Sequence, residues 1–432
     1  MRKGVVTGFA VLCIFTASLA FASGTGEKTT PSGAKQTLIV WNIDTNFAQW
    51  FADQYKPFEQ QNNVDIQIST VPSENFHEKF ISAVQAKTQI DALTQNGQDV
   101  RWMAIDGQLK DLTSVVTYKD RFVPTSLVPY TIEGKLYAVP YGAMNTSAIY
   151  YNKQIFAKYG LTPPRTYKDL VNVVQALHNQ GIYGIAMGGS TIYMWPMWYF
   201  QTFAQTSNNQ SEELTRQTLQ GKMKFTDPAY VNAMQALANM GKDGIFEPDV
   251  NGVDDRGGAQ AIFTSGKAGM FYGGTWEIAG FRQAGMGPDQ LGVIPFPQLT
   301  DSSLPVQMTG GSGNAATIYS GIDRSRLAVA QKLVDFVTSD AFDQAYCIQA
   351  HNPLAVNTNV QIPDADPLAK QLRDEFLPHT VTFLDWTWPQ KIVNAFQEQI
   401  QAVVGQQRSS QDAMQAVQQT YQDLVSSGYA FK

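Results

Sequence analysis

Residues 37–70 read TLIVWNIDTNFAQWFADQYKPFEQQNNVDIQIST. Thr37-Leu38-Ile39-Val40-Trp41 is a short apolar run of the kind buried on both faces of a parallel sheet, and Phe47, Trp50, Phe51, Tyr55 and Phe58 then recur at the spacing of one helix face. Val64, Ile66 and Ile68 alternate as a second strand, followed by Phe76, Phe80, Ile81 and Val84 on one face of a second helix. Parallel strands need a crossover and a helix supplies it, so this opening predicts an α/β domain whose mostly parallel sheet is flanked by helices.

Downstream, Glu133-Gly134 is a two-residue turn between Tyr130-Thr131-Ile132 and Lys135-Leu136-Tyr137-Ala138-Val139, which predicts a hairpin. The chain then runs through Tyr141-Gly142-Ala143-Met144-Asn145 into a new strand, Ala148-Ile149-Tyr150-Tyr151, and a crossing between domains is placed here. Thr166 and Asp169 form a capping box for a helix striped by Leu170, Val173, Val174 and Leu177. Strands are read over residues 181–187, 269–272 and 292–296, a helix on Leu327, Ala330, Leu333, Val334 and Val337, and an antiparallel pair of amphipathic helices in the tail. No repeat of 20 to 50 residues is visible, which excludes a solenoid.

Upstream, Arg2 and Lys3 precede a largely apolar stretch that ends in Ala20-Phe21-Ala22, the pattern of a secretory leader over residues 1–22, with a flexible Gly/Ser/Thr-rich terminus over residues 23–35. Cys13 falls inside that leader, so Cys347 is left without a disulfide partner. The expected location is therefore outside the cytoplasm: periplasmic, either free or tethered to the membrane or cell surface. No later segment is apolar enough to span a bilayer. Of the 432 residues 44% are hydrophobic and 16% charged, which suits a large core, and the formal net charge of -6 repels nucleic acid and anionic lipid.

From Gly134 the residues resemble a known family. Gly134-Lys135-Leu136-Tyr137-Ala138-Val139-Pro140-Tyr141, Ile149-Tyr150-Tyr151-Asn152-Lys153 and Tyr159-Gly160-Leu161-Thr162-Pro163-Pro164 are similar to the signature block of extracellular solute-binding proteins of family 1, the sugar-binding subunits of ABC importers. Phe263-Thr264-Ser265-Gly266-Lys267-Ala268-Gly269-Met270 with Gly274-Thr275-Trp276-Glu277, Gly292-Val293-Ile294-Pro295-Phe296-Pro297 and Gly310-Gly311-Ser312-Gly313 continue the resemblance. It implies a two-lobed periplasmic-binding-protein-like fold with a multi-crossing hinge. Lobe one would hold residues 36–145 and 308–345, lobe two residues 146–307 and 346–432. It also implies a monomer that takes a carbohydrate in the interlobe cleft and delivers it to ABC transporter permease subunits, without a cofactor or covalent chemistry. The chain departs from the family at Gln89-Ile90-Asp91-Ala92-Leu93, where a Pro-Asp pair usually opens a strand, just ahead of the carried-over contacts Gln98 and Asp99.

Sugars present apolar ring faces and a belt of hydroxyls, so a site for them needs aromatic platforms and planar hydrogen-bonding side chains. Trp276 and Glu277, after Gly273-Gly274 at a strand end, fit that need; core packing is the alternative. Asp385, Trp386 and Trp388 precede a helix, and two Trp so close in sequence cannot share one helix face. Trp195 and Trp198 are weaker candidates, since residues 194–200 also read as a buried helix start. Trp41, Asn42 and Asp44 follow the first strand, with helix capping the alternative role for Asp44. Asn145 lies at the crossing, and Gly311 and Ser312 offer backbone N–H groups in a loop. Residues 311–316 also fit a dinucleotide pattern, a weak match on its own. The four His are scattered, which predicts no metal site. Asp254-Asp255 and Glu212-Glu213 read as solvated loops. A secreted glycoside hydrolase and an oligopeptide or polyamine receptor are the competing readings, the latter requiring cleft carboxylates such as Asp44, Glu277 and Asp385.

Overall fold

The computed structural model describes residues 35–429 and 431, apart from 353 and 363–366; the leader, Cys13 and residues 23–34 lie outside them. The apolar runs become strands β1 (Gln36–Asn42), β2 (Val64–Thr70), β3 (Ala92–Gln95), β4 (Thr131–Ile132), β5 (Lys135–Leu136), β6 (Val139–Asn152), β7 (Tyr183–Ala186), β8 (Ala268–Gly274), β9 (Leu291–Ile294), β10 (Met308–Ile318) and β11 (Thr380–Thr382). One sheet runs β2-β1-β3-β10-β6-β8-β7, with β11 beside β10 and β9 beside β6, while β4 and β5 form a separate hairpin. Its turn residues, Glu133 and Gly134, both take positive φ, as a tight two-residue hairpin turn requires.

The opening strand–helix–strand–helix unit is as expected: β1 pairs in parallel with β2 and with β3. The helix Ala48–Asn62 buries Phe51, Tyr55 and Phe58. The sheet as a whole is mixed, because β10 runs antiparallel to both β3 and β6, and β6 antiparallel to β8 and β9. Where the sequence suggested a connection between two strands at residues 141–145, β6 continues unbroken for 14 residues. Gly142 permits this: its φ is +76°, and a Cβ there would stand 2.5 Å from the Tyr346 ring. Gly310, Gly311 and Ser312, expected in a loop, lie within β10 opposite Thr146, Asn145 and Met144. A register shift between Ser312 and Asn314 then turns the strand toward Tyr141. These glycines are thus backbone partners in a ladder, and no helix start follows them to cradle a phosphate.

Separate hydrophobic cores form around the β6–β10 crossing. The first joins Leu38, Phe51, Phe76, Phe80 and Leu93 to Leu333 and Val337 of the helix Arg324–Val337, and carries on past Ala345 to Val356. The second packs the helices Met194–Thr206, Pro228–Lys242, Gln390–Val404 and Ser410–Ser426 through Trp198, Tyr230, Leu237, Phe396, Ile400 and Val417. The last two are the expected pair of tail helices. A third cluster, with Phe263, Phe271 and Phe281, covers part of the β8 side of the sheet. Among the described residues no helix is long and apolar enough to cross a membrane.

Replacing Gly142 with Ala should destabilise the protein by about 1–3 kcal/mol, since the new Cβ meets both an unfavourable φ and the Tyr346 ring. Urea unfolding of the variant checks this, and an unchanged midpoint would refute it.

Candidate functional site

A cavity of about 420 Å³ opens where three loops of the first sheet segment face residues packed on the second core. One wall comes from the carboxyl ends of the parallel strands, where open α/β sheets place ligands. β1 ends in Ile43, Asp44, Asn46 and Phe47, β2 leads to Ser73, His77 and Glu78, and β3 leads to Asn96, Gln98 and Asp99. The opposite wall holds Tyr193, Met197, Arg256, Trp276, Phe383, Asp385 and Trp386, and the floor is Asn145, Asn314 and Asn352 beside the crossing strands.

The aromatic side chains form a row. Tyr193 meets Trp276 edge-on at 6.2 Å between centroids, Trp276 meets Phe383 at 6.0 Å, and Phe383 meets Trp386 at 4.8 Å. Glycine makes room for both tryptophans. A Cβ on Gly274 would lie 2.1 Å from the Trp276 ring, one on Gly97 2.4 Å from Trp386, and one on Gly311 3.3 Å from Trp386. Trp386 is therefore seated against the first turn of the helix Gly97–Ile105, and the side chain of Gln98 donates to Gln390 at 3.1 Å alongside it.

The polar side chains are held in place by their neighbours. Asn42 is buried and accepts from the Asp44 backbone N–H at 2.7 Å and the Thr94 hydroxyl at 2.9 Å, so it shapes the loop that presents Asp44. Tyr346 donates to Asp44 at 2.9 Å and accepts from Asn314 at 2.7 Å. On the floor, Asn145 accepts from Thr275 at 2.8 Å, and Asn352 donates to the Met144 carbonyl at 3.0 Å.

Charge is concentrated around Arg256. Tyr193 donates to Asp255, the Arg256 guanidinium reaches the Thr45 hydroxyl at 3.5 Å, and Gln260 donates to Glu277 at 2.6 Å. Burial works against the charge on Arg256, yet Tyr193, Glu277, Asp255 and Asp44 hold it above the usual arginine range. Burial, with Asp255 nearby, pushes the Glu277 carboxyl up to about 8. Asp44 is raised by burial, an effect Arg256 partly offsets. Burial also lifts Asp99 to about 7, against a hydrogen bond from Trp102 at 3.0 Å, and lifts Asp385 to about 7.

Of the residues singled out from sequence, Asp44, Gln98, Asp99, Asn145, Trp276, Asp385 and Trp386 converge on this cavity. The others do not line it. Trp388 stacks on Phe396 at 4.3 Å, Trp195 and Trp198 pack on Phe246 at 4.9 Å each, and Trp41 meets Phe76 at 5.9 Å, all within the cores. Each buries a large apolar ring that the helices around it need, which explains its position without a ligand. Glu277 stands behind Trp276, Gly311 supports Trp386, and the fully buried Ser312 accepts from Tyr130 at 2.6 Å through its carbonyl.

Of the pair expected on a solvated loop, Asp254 is exposed and accepts from Gly257 and Gly258 at 2.8 and 2.9 Å, whereas Asp255 is buried. Glu212 and Glu213 are exposed as expected, but in the first turn of the helix Ser211–Leu219 and not in a loop; Glu212 accepts from the Thr382 N–H at 3.3 Å. Arg256, Tyr193, Phe383, Tyr346, Asn314 and Asn352 were missed; only the unusual run Asp254-Asp255-Arg256-Gly257-Gly258 carried a signal for the first. Among the described residues no group of three or more His, Cys, Asp or Glu is placed to hold a metal ion.

The profile of the bacterial extracellular solute-binding protein family matches residues 53–371. The chain belongs to that family. This solute-binding protein is 25% identical over 66% of its length to an ABC transporter extracellular-binding protein of Pyrococcus horikoshii, covering 68% of that protein. It is 22% identical to the maltodextrin-binding protein MdxE of Bacillus subtilis, over 81% of each chain. The solved structure of a chitin oligosaccharide binding protein superposes with a TM-score of 0.81 at 20% identity, covering 90% of this chain and 99% of that one. That likeness establishes the two-lobed fold.

Asp99 and Asp385 hold their protons more tightly in the folded solute-binding protein than in the unfolded chain, where such groups titrate near 3.8. Both therefore work increasingly against the fold as pH rises from about 4 to about 7. Asp385→Asn should stabilise the protein by about 2 kcal/mol more at pH 8 than at pH 5. Thermal unfolding at the two pH values checks the sign; equal effects at both would refute it.

Proposed function

We propose that this protein is the exported receptor of an ABC importer, which captures a sugar between its lobes and passes it to a membrane permease. The observation that carries this reading is the aromatic row from Tyr193 through Trp276 and Phe383 to Trp386, facing planar Asn, Gln and Asp side chains across a cavity of about 420 Å³. Ring faces stack on such a row while hydroxyls pair with the planar groups. The maltodextrin- and chitin-oligosaccharide-binding relatives support a carbohydrate class for the ligand.

Lobe one comprises residues 36–145 with 308 to about 356, following the extent of the first core, and lobe two residues 146–307 with about 357 onward. Ligand binds the closed arrangement better than the open one, and that difference shifts the population. Gln98 on Gln390 and Arg256 on Thr45 are contacts that closure makes across the cleft. The receptor works in the periplasm as a monomer and performs no covalent chemistry.

A thermal-shift screen of the purified protein against mono-, di- and oligosaccharides tests the proposal, with peptides as controls. A saccharide that raises Tm and is recovered unaltered is the expected result; one that is cleaved indicates a hydrolase, and a response to peptides alone overturns the ligand class. Trp276→Ala should weaken binding of the responding sugar by about 2 kcal/mol, roughly thirtyfold in Kd. An unchanged affinity in calorimetry would remove Trp276 from the site.

A further inference from the structure

The charges in the cleft do not balance. At its rim Glu78 and Lys391 are both exposed and offset one another. Deeper in stand the carboxyl groups of Asp44, Asp99 and Asp385, one fixed cation, Arg256, and the half-buried imidazole of His77, which packs on Trp102. That guanidinium is already committed, because Asp255 and Glu277, both buried, stand around it together with Asp44. Asp99 and Asp385 are left without a counter-charge: among the described residues neither accepts a hydrogen bond or an ion pair from Lys, Arg or His.

Asp385 is the more telling of the two. It is 2% exposed, it lines the cavity, and its Oδ1 has no hydrogen-bond partner. Asp99 is brought to the same end of the cleft by the contact of Gly97 with the Trp386 ring, next in sequence to Asp385. A buried carboxylate whose charge no cation offsets is unfavourable, and a sugar hydroxyl would satisfy the open Oδ1 of Asp385 while leaving the charge uncompensated. An ammonium group supplies both. Aromatic rings beside it, here Phe383 and Trp386, add a favourable cation–π environment.

We propose that the cleft selects a carbohydrate carrying a basic nitrogen, an amino sugar or an oligomer that contains one, with Asp385 and Asp99 receiving its ammonium group. This rests on the sugar-capture reading above and narrows it. The elevated carboxyl groups of both residues agree with carboxylates that lack their cation.

The test is calorimetry of the purified protein with glucosamine, galactosamine and chitosan oligomers of two to four units, each against its N-acetylated counterpart, which has the same sugar skeleton without the charge. Spermidine serves as a second cation. Free-amine sugars should bind at least about tenfold more tightly than their acetylated counterparts. That ratio should fall toward one in Asp385→Asn and, separately, in Asp99→Asn, and circular dichroism checks that both variants are folded. Equal or tighter binding of the acetylated sugars, failure of every amine-bearing sugar to bind, or a ratio that survives both substitutions overturns the proposal. Binding of neutral sugars alone would leave the sugar-receptor reading standing. Binding of spermidine with no sugar bound would overturn both.

Discussion

The antiparallel pairing of β6 with β10 is the constraint on which the rest of the structure depends. Each strand is long enough to serve two neighbourhoods. β6 pairs with β10 over its first half and with β8 and β9 over its second, and β10 pairs with β3 at one end and with β11 at the other. Buried backbone groups must find partners, so the ladder that joins the two neighbourhoods cannot end at either of them. A small polar cluster marks the middle of the crossing. The Ser147 hydroxyl accepts from Gln201 and from the Thr309 N–H at 3.0 Å each, tying a helix of the second core to both strands.

The cleft follows from that arrangement. Loops at the ends of β1, β2 and β3 can only face residues carried by β8 and the segment after β11, because the crossing strands hold the two sets at a set separation. The floor residues Asn145 and Asn314 belong to the crossing strands themselves, so the same backbone that connects the two sides also touches whatever lies between them. Gly142, Gly311 and the register shift at Ser312–Asn314 are where the strands bend, and Tyr346 and Trp386 pack into the space these bends leave. Packing and site construction therefore use the same few residues.

Much of the first sheet segment was legible because its residues report periodicity directly: alternation in β2 and the 3.6-residue stripe of Phe51, Tyr55 and Phe58 depend only on neighbours along the chain. The break expected at residues 141–145 was wrong for a local reason, since Gly142 and Asn145 are residues that commonly end a strand and nothing nearby in sequence shows that β10 will pair there. Tryptophan was a poor guide by itself. Trp276 and Trp386 line the cavity while Trp388, two residues from the latter, stacks in the core on Phe396, and the difference lies in which helix each ring meets.

By itself the sequence determined the α/β character of the chain, its opening strand–helix–strand–helix unit, and its membership of an extracellular solute-binding family, because each is written in local periodicity or in short ordered motifs. Tertiary structure alone decided which polar groups meet. Arg256 lies 211 residues from Thr45, and Tyr346 lies 302 residues from Asp44, yet both pairs are in contact. Such pairings, and the burial that leaves Asp99 and Asp385 without a cation, depend on how far strands reach and what packs behind them. No spacing along the chain encodes either.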